Sequence, residues 1–117
     1  MRKARIIEVL AIALLASSLH TASAEDTVKI AFIDPLSGPF ANLGEMEVRA
    51  FQYAIDLVNA RGGVLGGRKL ELVAFDNKAS AQEALLALTR ATDQDIRFVT
   101  QGNSSSVALA TRPSFPN

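Results

Sequence analysis

Three consecutive serines, Ser104, Ser105 and Ser106, place a cluster of hydroxyl groups directly before an apolar segment that starts at Val107. Serine hydroxyls and the free backbone N–H groups at a helix N-terminus can bind a carboxylate or a phosphate without a cation. Serine is also a favoured N-cap residue, so helix capping explains the cluster equally well. Because different serines can fill the two roles, the pattern indicates a ligand contact, a cap or both.

A second loop that could contact a small ligand spans residues 35–39 and holds Ser37 and Gly38 between two prolines. Its prolines and glycine disfavour regular secondary structure. Asp34 precedes this loop, and Asp76 stands at the corresponding place further along the chain. Both aspartates are typical of strand ends and of groups that complement a helix dipole. No two carboxylates have a spacing that indicates general acid–base catalysis.

The composition of the 117 residues excludes several classes of protein. The 12 Lys and Arg residues balance the 12 Asp and Glu residues, so no net positive charge favours nucleic acid. The absence of Cys excludes disulfides, Cys nucleophiles and Cys-based metal sites. No nucleotide-binding motif is present, and the glycines between Gly62 and Gly67 follow a helical segment rather than a strand. The sequence predicts neither a metal nor a cofactor.

The first 24 residues have the pattern of a secretory signal peptide. Basic residues within positions 2–5 precede an apolar stretch over 9–19 and a small-x-small sequence that ends at Ala24. The apolar stretch is about half of the roughly 20 residues that span a bilayer. We therefore expect cleavage after Ala24 and a periplasmic protein. Cleavage would remove His20, the single His, and this loss excludes catalysis by His. Residues 25–117 would have a net charge of −2.

The first half of the remaining chain alternates between strand and helix patterns. Residues 28–33 form a short apolar run typical of a strand that is covered on both faces. From about Gly44 to residue 60, apolar residues recur with helical spacing. Glu45 and Glu47 would lie in the first turn, where the helix dipole favours negative charge. Residues 69–75 are predicted to form the second strand.

The second half repeats the alternation. Ser80 and Glu83 have the spacing of a capping box at the start of a helix over residues 81–91. Residues 96–100 are predicted to form a third strand. A further helical pattern follows the serine cluster, and Pro113 prevents it from continuing.

The resulting order, β-α-β-α-β followed by the start of a helix, is that of a Rossmann-like, doubly wound α/β fold with a parallel sheet. With the strand order 2-1-3, the loops after the first and third strands flank the topological switch point, where open α/β sheets bind ligands. The loops 35–39 and 101–106 would face each other across this crevice. The sequence predicts a ligand site there, with Ser37 and Gly38 on one side and the serine cluster, 104–106, on the other.

Several segments, in their order and spacing, resemble the start of the periplasmic leucine/isoleucine/valine-binding protein family. These proteins are the substrate-binding subunits of branched-chain amino-acid ABC importers. Within the family, the chain is most similar to members proposed to carry aromatic acids or other carboxylates. The resemblance covers about residues 27–110 and rests on VKI at 28–30, PLSGP at 35–39, AIDLVNARGGVLGG at 54–67, LEL at 70–72 and RFVTQGNSSS at 97–106.

The resemblance implies a type I periplasmic binding protein, in which two Rossmann-like lobes close over a ligand by a hinge motion. Residues 25–117 would be an incomplete N-terminal lobe, because family members are longer and residues 111–117 are atypical of the family's third helix. The resemblance assigns the ligand carboxylate to Ser105, or to Ser104 or Ser106 after a one-residue shift. It also implies a permease complex in the inner membrane as the partner. Leu43 stands where members often carry an aromatic residue, which leaves the ligand side chain open.

Three functions are compatible with these features. The first is a periplasmic solute-binding protein of an ABC importer, here truncated, for a branched-chain type amino acid or a related small carboxylate. The second is a ligand-sensing domain of a receptor or regulator with the same fold; a non-functional fragment is the alternative to any function. The third is an enzyme on a Rossmann-like sheet, which would lack His, Cys and nucleotide motifs once the signal is removed. The signal peptide favours the first function.

Overall fold

The structure is a computed structural model that describes residues 27–114, in which helices cover both faces of a small parallel sheet. The predicted signal peptide, its cleavage site and the last three residues lie outside the described residues. The element order confirms the predicted α/β class. The elements are β1 (Thr27–Asp34), a 3-10 turn (Gly38–Phe40), α1 (Ala41–Ala60), β2 (Lys69–Asp76), α2 (Ala81–Asp93), β3 (Phe98–Thr100), α3 (Ser105–Thr111) and a second 3-10 turn (Arg112–Ser114).

The three strands are parallel and lie in the order β2-β1-β3. β1 pairs with β2 along its whole length, from Thr27 opposite Lys69 to Asp34 opposite Asp76. β3 pairs with β1 over three residues. This is the 2-1-3 order for which the sequence predicts a ligand crevice, so the switch point lies between β1 and β3.

The central strand supplies apolar side chains to both faces of the sheet, because side chains alternate along a strand. Ala31 and Ile33 are buried against α2 and α3. Phe32 points to the opposite face, where its ring centroid lies 5.0 Å from that of Phe51 on α1. Phe98 of β3 shares this second face but is 57% exposed. The other buried residues on the face that Ala31 and Ile33 share with α2 and α3 are Phe75, Ala84, Ala87, Leu88, Ala91, Ile96 and Val107.

The first helix begins three residues before the predicted start at Gly44. Pro39 occupies the beginning of the preceding 3-10 turn, where its fixed φ fits and its missing N–H is not needed. α1 continues from that turn at Ala41. The expectation that Glu45 and Glu47 lie in the first turn is therefore wrong, because the first turn of α1 holds no acidic residue. Both side chains belong to the next turn.

The third strand is shorter than the predicted 96–100 and begins at Phe98. Ile96 is buried, but its N–H donates to the carbonyl oxygen of Ala91 at 3.0 Å. Ile96 is thus held by the end of α2 rather than by the strand ladder. Asp95, which lies between α2 and Ile96, has a φ of 57°, and this conformation turns the chain sharply away from the helix.

Half of the predicted capping box forms at the start of α2. The Ser80 hydroxyl accepts a hydrogen bond from the N–H of Glu83 at 3.4 Å, as expected for an N-cap. The reciprocal bond of a capping box, from the N–H of Ser80 to the Glu83 carboxylate, does not form. The N–H of Ser80 instead donates to the carbonyl oxygen of Asn77 at 2.8 Å. The Glu83 carboxylate instead lies 3.6 Å from the Lys78 ammonium group.

Asn59 joins the end of α1 to the start of β2. Its side chain accepts a hydrogen bond from the N–H of Leu70 at 2.7 Å and donates one to the carbonyl oxygen of Leu70 at 2.9 Å. This two-point contact fixes the helix against the sheet. Within residues 27–114, no helix combines the length and the apolar character that crossing a membrane requires.

Candidate functional site

The carboxyl ends of the three parallel strands meet at one edge of the sheet, and each ends in a polar residue or leads into one. Asp34 ends β1, Asp76 ends β2, and Gln101 follows β3. The loops that start at these residues form the edge where the sequence predicts the ligand site. Open α/β sheets bind ligands at this edge.

Ser104 is the N-cap of α3. Its hydroxyl accepts a hydrogen bond from the N–H of Val107 at 3.4 Å and lies 3.1 Å from the Ser106 hydroxyl. The side-chain amide of Gln101 donates to the carbonyl oxygen of Ser104 at 2.8 Å and closes the loop. The capping alternative is therefore confirmed for Ser104.

Ser105 is the first residue of α3 and is exposed. Among the described residues, its hydroxyl group makes no hydrogen bond. Ser106 is also exposed, but its hydroxyl contacts that of Ser104. Of the three serines, Ser105 is thus the one whose hydroxyl the described part of the chain leaves available for a ligand.

Ser37 and Gly38 are tied to the β2 side of the edge. The Ser37 hydroxyl donates to the Asp76 carboxylate, which also accepts from the N–H groups of Leu36 at 2.9 Å and Lys78 at 2.8 Å. Gly38 has a φ of 73°, a left-handed conformation that favours glycine. No hydrogen bond within the described chain joins either residue to the serine cluster. The structure thus places the two predicted halves of the site at the same edge without linking them directly.

The environment of Asp76 favours its ionised form. Burial by itself raises the pKa of this carboxyl group, but the hydrogen bonds from Ser37, Leu36 and Lys78 and the Lys78 charge outweigh it. The pKa of Asp76 therefore lies below its usual value. Asp76 acts as a charged anchor for the loop that carries Ser37.

Asp34 has a role that the sequence analysis missed. As expected, Asp34 ends the strand, since it is the last residue of β1, but it is also fully buried and contacts a distant loop. Its carboxyl group accepts hydrogen bonds from the backbone N–H of Asn103 at 3.3 Å and from the Asn103 side-chain amide at 2.9 Å. Asp34 thus binds the loop that leads to the serine cluster.

Glu47 of α1 completes this contact. Its carboxylate accepts from the Asn103 side-chain amide at 3.3 Å, and its side chain hydrogen-bonds that of Asp34. Gly102 fits between them, because a Cβ atom at this position would overlap the Glu47 carboxylate and lie 2.9 Å from Asp34 Oδ2. No local sequence signal could have revealed this cluster, since Asp34 and Asn103 are 69 positions apart.

The electrostatics of Asp34 differ from those of Asp76. Burial, followed by the hydrogen bond with Glu47, raises the pKa of Asp34 to about 6. The Glu47 charge contributes to this rise, whereas the hydrogen bonds from the backbone N–H groups of Asn103 and Gly102 act in the opposite direction. Burial of Asp34 is thus the main cause of the shift, and the contact with Glu47 adds to it, because two carboxyl groups that hydrogen-bond each other need a proton between them.

Two of the cavities among the described residues lie at the sheet. One, of about 610 Å³, lies at the opposite edge of the sheet, among the starts of the strands, and is lined by residues such as Thr27, Arg68 and Phe98. The other, of about 290 Å³, lies between β3 and α3 and is lined by Ile33 and Thr111 among others. Within residues 27–114, no group of three or more His, Cys, Asp or Glu side chains is arranged to hold a metal ion.

Comparison with known proteins agrees with this architecture. A family profile described as periplasmic binding protein matches residues 27–117. The leucine-, isoleucine-, valine-, threonine- and alanine-binding protein of Pseudomonas aeruginosa is 34% identical over 98 residues, which are 84% of this chain and 25% of that protein. The Leu/Ile/Val-binding protein of Escherichia coli K12 is 31% identical over 80 residues, or 68% of this chain and 21% of that protein.

Solved structures show the same arrangement of strands and helices. The branched-chain amino-acid transporter substrate-binding protein LivJ of Streptococcus pneumoniae, solved in complex with isoleucine, is 32% identical, with a TM-score of 0.66. The match covers 77% of this chain and 27% of that one. The chain spans about a quarter of the length of the relatives it matches. The chain belongs to the periplasmic binding protein family that includes the leucine/isoleucine/valine-binding proteins.

Proposed function

We propose that the chain is the N-terminal part of a substrate-binding protein that delivers an amino acid or a related small carboxylate to an ABC permease in the inner membrane. The observation that carries the proposal is the exposed Ser105 hydroxyl at the switch point between β1 and β3, in a chain of this family. The P. aeruginosa and S. pneumoniae relatives are named for binding or transporting branched-chain amino acids, which supports this class of ligand.

The proposed recognition needs no cation. The Ser105 hydroxyl would donate to the ligand carboxylate together with the backbone N–H groups of the first turn of α3 that Ser104 does not occupy. Ser104 would keep the turn in place by capping it. Ser37 and Gly38 would line the opposite side of the crevice. Leu43 on α1, 37% exposed, would offer an aliphatic surface.

The rest of the ligand contact would come from a second lobe, as the relatives' length suggests. The relatives are about four times as long as the segment that they share with this chain. In this view residues 25–117 form an incomplete N-terminal lobe that contributes only part of the ligand contacts. A chain restricted to this lobe would bind weakly, because association must still overcome the loss of translational and rotational freedom.

We propose export as the first step of its maturation, with cleavage between Ala24 and Glu25. The basic, apolar and small-x-small segments of residues 1–24 support this site. Intact mass spectrometry of the protein from a periplasmic extract tests the proposal. A mass that begins at Glu25 is expected, and a species that keeps Met1 and stays in the membrane fraction would contradict it.

The role of Ser105 is tested in a two-lobed protein. Residues 27–110 are joined to the C-terminal remainder of the P. aeruginosa relative, and leucine binding is measured by calorimetry. Ser105→Ala is expected to weaken binding about ten- to a hundredfold, the value of a hydrogen bond to a charged group. Ser80→Ala is the matched control, because it removes a cap at another helix of the same edge. Unchanged affinity for Ser105→Ala, Ser104→Ala and Ser106→Ala would contradict the proposed site.

A further inference from the structure

Three polar side chains from three separate elements meet behind the serine cluster, and the proposed carboxylate contact uses none of them. We call Asp34 of β1, Glu47 of α1 and Asn103 of the loop after β3 the carboxyl–amide cluster. The Asn103 side-chain amide donates to both carboxyl groups, at 2.9 Å to Asp34 and 3.3 Å to Glu47. The backbone N–H of Asn103 adds a third bond to Asp34. Asn103 is therefore fixed from two sides.

The cluster lies next to the proposed ligand contact in sequence and in space. Asn103 directly precedes the N-cap Ser104, so its position determines where the first turn of α3 begins. Gly102 leaves room for the Glu47 carboxylate, since a Cβ atom there would overlap it. An exposed loop between a three-residue strand and a seven-residue helix has few other anchors. The cluster supplies its tertiary attachment to β1 and α1.

The two carboxyl groups face each other without a compensating cation. Within residues 27–114, no Lys or Arg side chain forms an ion pair with Asp34 or Glu47. On β2, the carboxylate of Asp76 is occupied by Ser37, Leu36 and Lys78. The groups that face Asp34 are thus Glu47 from α1 and the donors of the 102–103 loop. Two adjacent carboxylates without a cation repel each other unless they share a proton.

We propose that the carboxyl–amide cluster positions the ligand loop, residues 102–106, and that it does so fully only while Asp34 and Glu47 share a proton. That this loop contacts the ligand rests on the proposed function. Asp34, Glu47 and Asn103 are positioning residues, because they act on the ligand through Ser105 and its backbone N–H groups. Ligand affinity should then be higher in mildly acidic than in mildly alkaline solution.

The electrostatics agree in direction with this geometry. Burial and the Glu47 contact raise the pKa of Asp34 to about 6. The folded arrangement is therefore favoured while the proton is bound and loses stability as the pH rises through about 6. Above that pH, repulsion between the carboxylates opposes the simultaneous contact of both with Asn103.

Nuclear magnetic resonance of the uniformly 15N-labelled full chain without ligand tests the cluster itself. The backbone amides of Gly102, Asn103 and Ser105 and the Asn103 side-chain amide are followed from about pH 4.5 to about pH 8. A common midpoint near the pKa of about 6 is expected. Loop amides that show no midpoint between about pH 5 and pH 7 would overturn the proposal.

Variants assign the midpoint to the two carboxyl groups. Asp34→Asn should remove it, and Glu47→Gln should lower it, because the neighbouring negative charge is lost. Gly102→Ala gives a second route, since the added Cβ displaces the Glu47 carboxylate and should also lower the midpoint. Asp56→Asn is the matched control, as this exposed α1 carboxylate accepts a side-chain hydrogen bond only from Gln52 among the described residues. A midpoint that survives in Asp34→Asn would overturn the proposal.

A second experiment, a leucine titration at two pH values, distinguishes the role of the cluster from ligand binding itself. L-Leucine is added to the full chain at about pH 5 and about pH 7.5, and its dissociation constant is taken from the Ser105 amide shift. We expect binding at least about threefold weaker at the higher pH, and no such difference in Asp34→Asn. Equal affinities at both pH values in the unaltered chain would overturn the positioning role. A normal pH midpoint without any leucine shift would support the cluster and contradict the proposed function.

Discussion

Asp76 shows how one side chain can organise a loop at the edge of the sheet. Its carboxylate accepts from Ser37, Leu36 and Lys78 and so connects the β1 loop to the turn after β2. All three donors favour the ionised form, which lowers the pKa of Asp76. This stabilisation is present above the usual Asp pKa of about 3.9 and is lost as the pH falls through the lower folded-state value.

We predict that Asp76→Asn lowers the free energy of unfolding by about 1–2 kcal/mol near neutral pH, because charge-assisted hydrogen bonds are lost. The difference from the unaltered protein should shrink at about pH 3, because Asp76 is then largely protonated in the unfolded chain, where its pKa is about 3.9. Urea unfolding at both pH values measures it. Asp56→Asn, on the exposed side of α1, should change the stability by less than about 0.5 kcal/mol. An Asp76 effect of equal size at both pH values would contradict this account.

At the residue scale, the sequence predicted interactions between residues that are close in sequence, such as helix caps. The Ser80 and Ser104 caps involve residues three positions away, so their spacing is visible in the sequence. Asp34 was interpreted as a strand terminator and a complement to a helix dipole, because its partners come from a helix and from a loop 69 positions away. The side chains that a fold brings together over such distances leave no local pattern.

At the scale of elements, Gly44 determines how closely α1 approaches the β1 loop. A Cβ atom at this position would overlap the carbonyl oxygen of Pro35 and lie 2.9 Å from its carbonyl carbon. Pro35 is fully buried and cannot move aside easily. The helix therefore needs glycine here, although glycine is normally unfavourable within a helix.

We predict that Gly44→Ala destabilises the protein by about 1–3 kcal/mol, as overpacking against fixed backbone does. Without the close approach, the same change in a helix would stabilise it by about 0.5–1 kcal/mol. Thermal or urea unfolding distinguishes the two signs. Asn42→Ala, exposed on the same helix, should have little effect and serves as the control. A Gly44→Ala variant that is more stable than the parent would contradict the close packing.

The elements themselves were predicted well where periodicity is strong. The apolar run of β1 and the spacing of α2 gave both elements within three residues of their ends. The start of α1 was placed too late, because Pro39 and Gly38 appeared to exclude helical structure and instead form a 3-10 turn that leads into it. The start of β3 was placed two residues too early, because Ile96 is apolar and was assigned to the strand. Its side chain packs in the core with α2, and its N–H bonds the end of α2 instead of a neighbouring strand.

For the whole molecule, the described part of the sheet has one incompletely covered face. α1 covers Phe32, while Phe98 on the same face is 57% exposed and belongs to an edge strand. Exposed apolar residues on an edge strand promote pairing between chains. In longer relatives, further chain is available to cover such a face.

We predict that residues 25–117, produced alone, associate with themselves, and that Phe98→Lys reduces this association. A charge on the edge strand opposes strand pairing. Sedimentation velocity at several concentrations measures the size of the particles. Tyr53→Lys is the control, because Tyr53 is 67% exposed on α1, away from the strand edge. Equal suppression by both variants would indicate general solubility instead of edge pairing.

The fold class was predictable, because alternating strand and helix patterns with right-handed crossovers lead to a parallel α/β sheet. The strand order was an assumption, because right-handed crossovers allow both 1-2-3 and 2-1-3. The resemblance of the segments at 35–39 and 97–106 added the family, which the comparisons show. The linkage of Ser37 to Asp76, on the β2 side of the edge, was not predictable from the strand order alone. It depends on how the loop turns after Pro35.

The most direct test of the central claim, carboxylate binding at the start of α3, compares two ligands that differ in one group. The 15N-labelled residues 25–117, at a concentration at which sedimentation velocity shows them to be monomeric, are titrated with L-leucine and, separately, with L-leucinamide, which lacks the carboxylate. We predict that leucine shifts the amides of Ser104 to Val107 with a dissociation constant of about 1 mM or weaker. Leucinamide should leave these amides unchanged. Equal shifts with both ligands, or leucine shifts confined to the opposite edge near Thr27 and Phe98, would contradict the account.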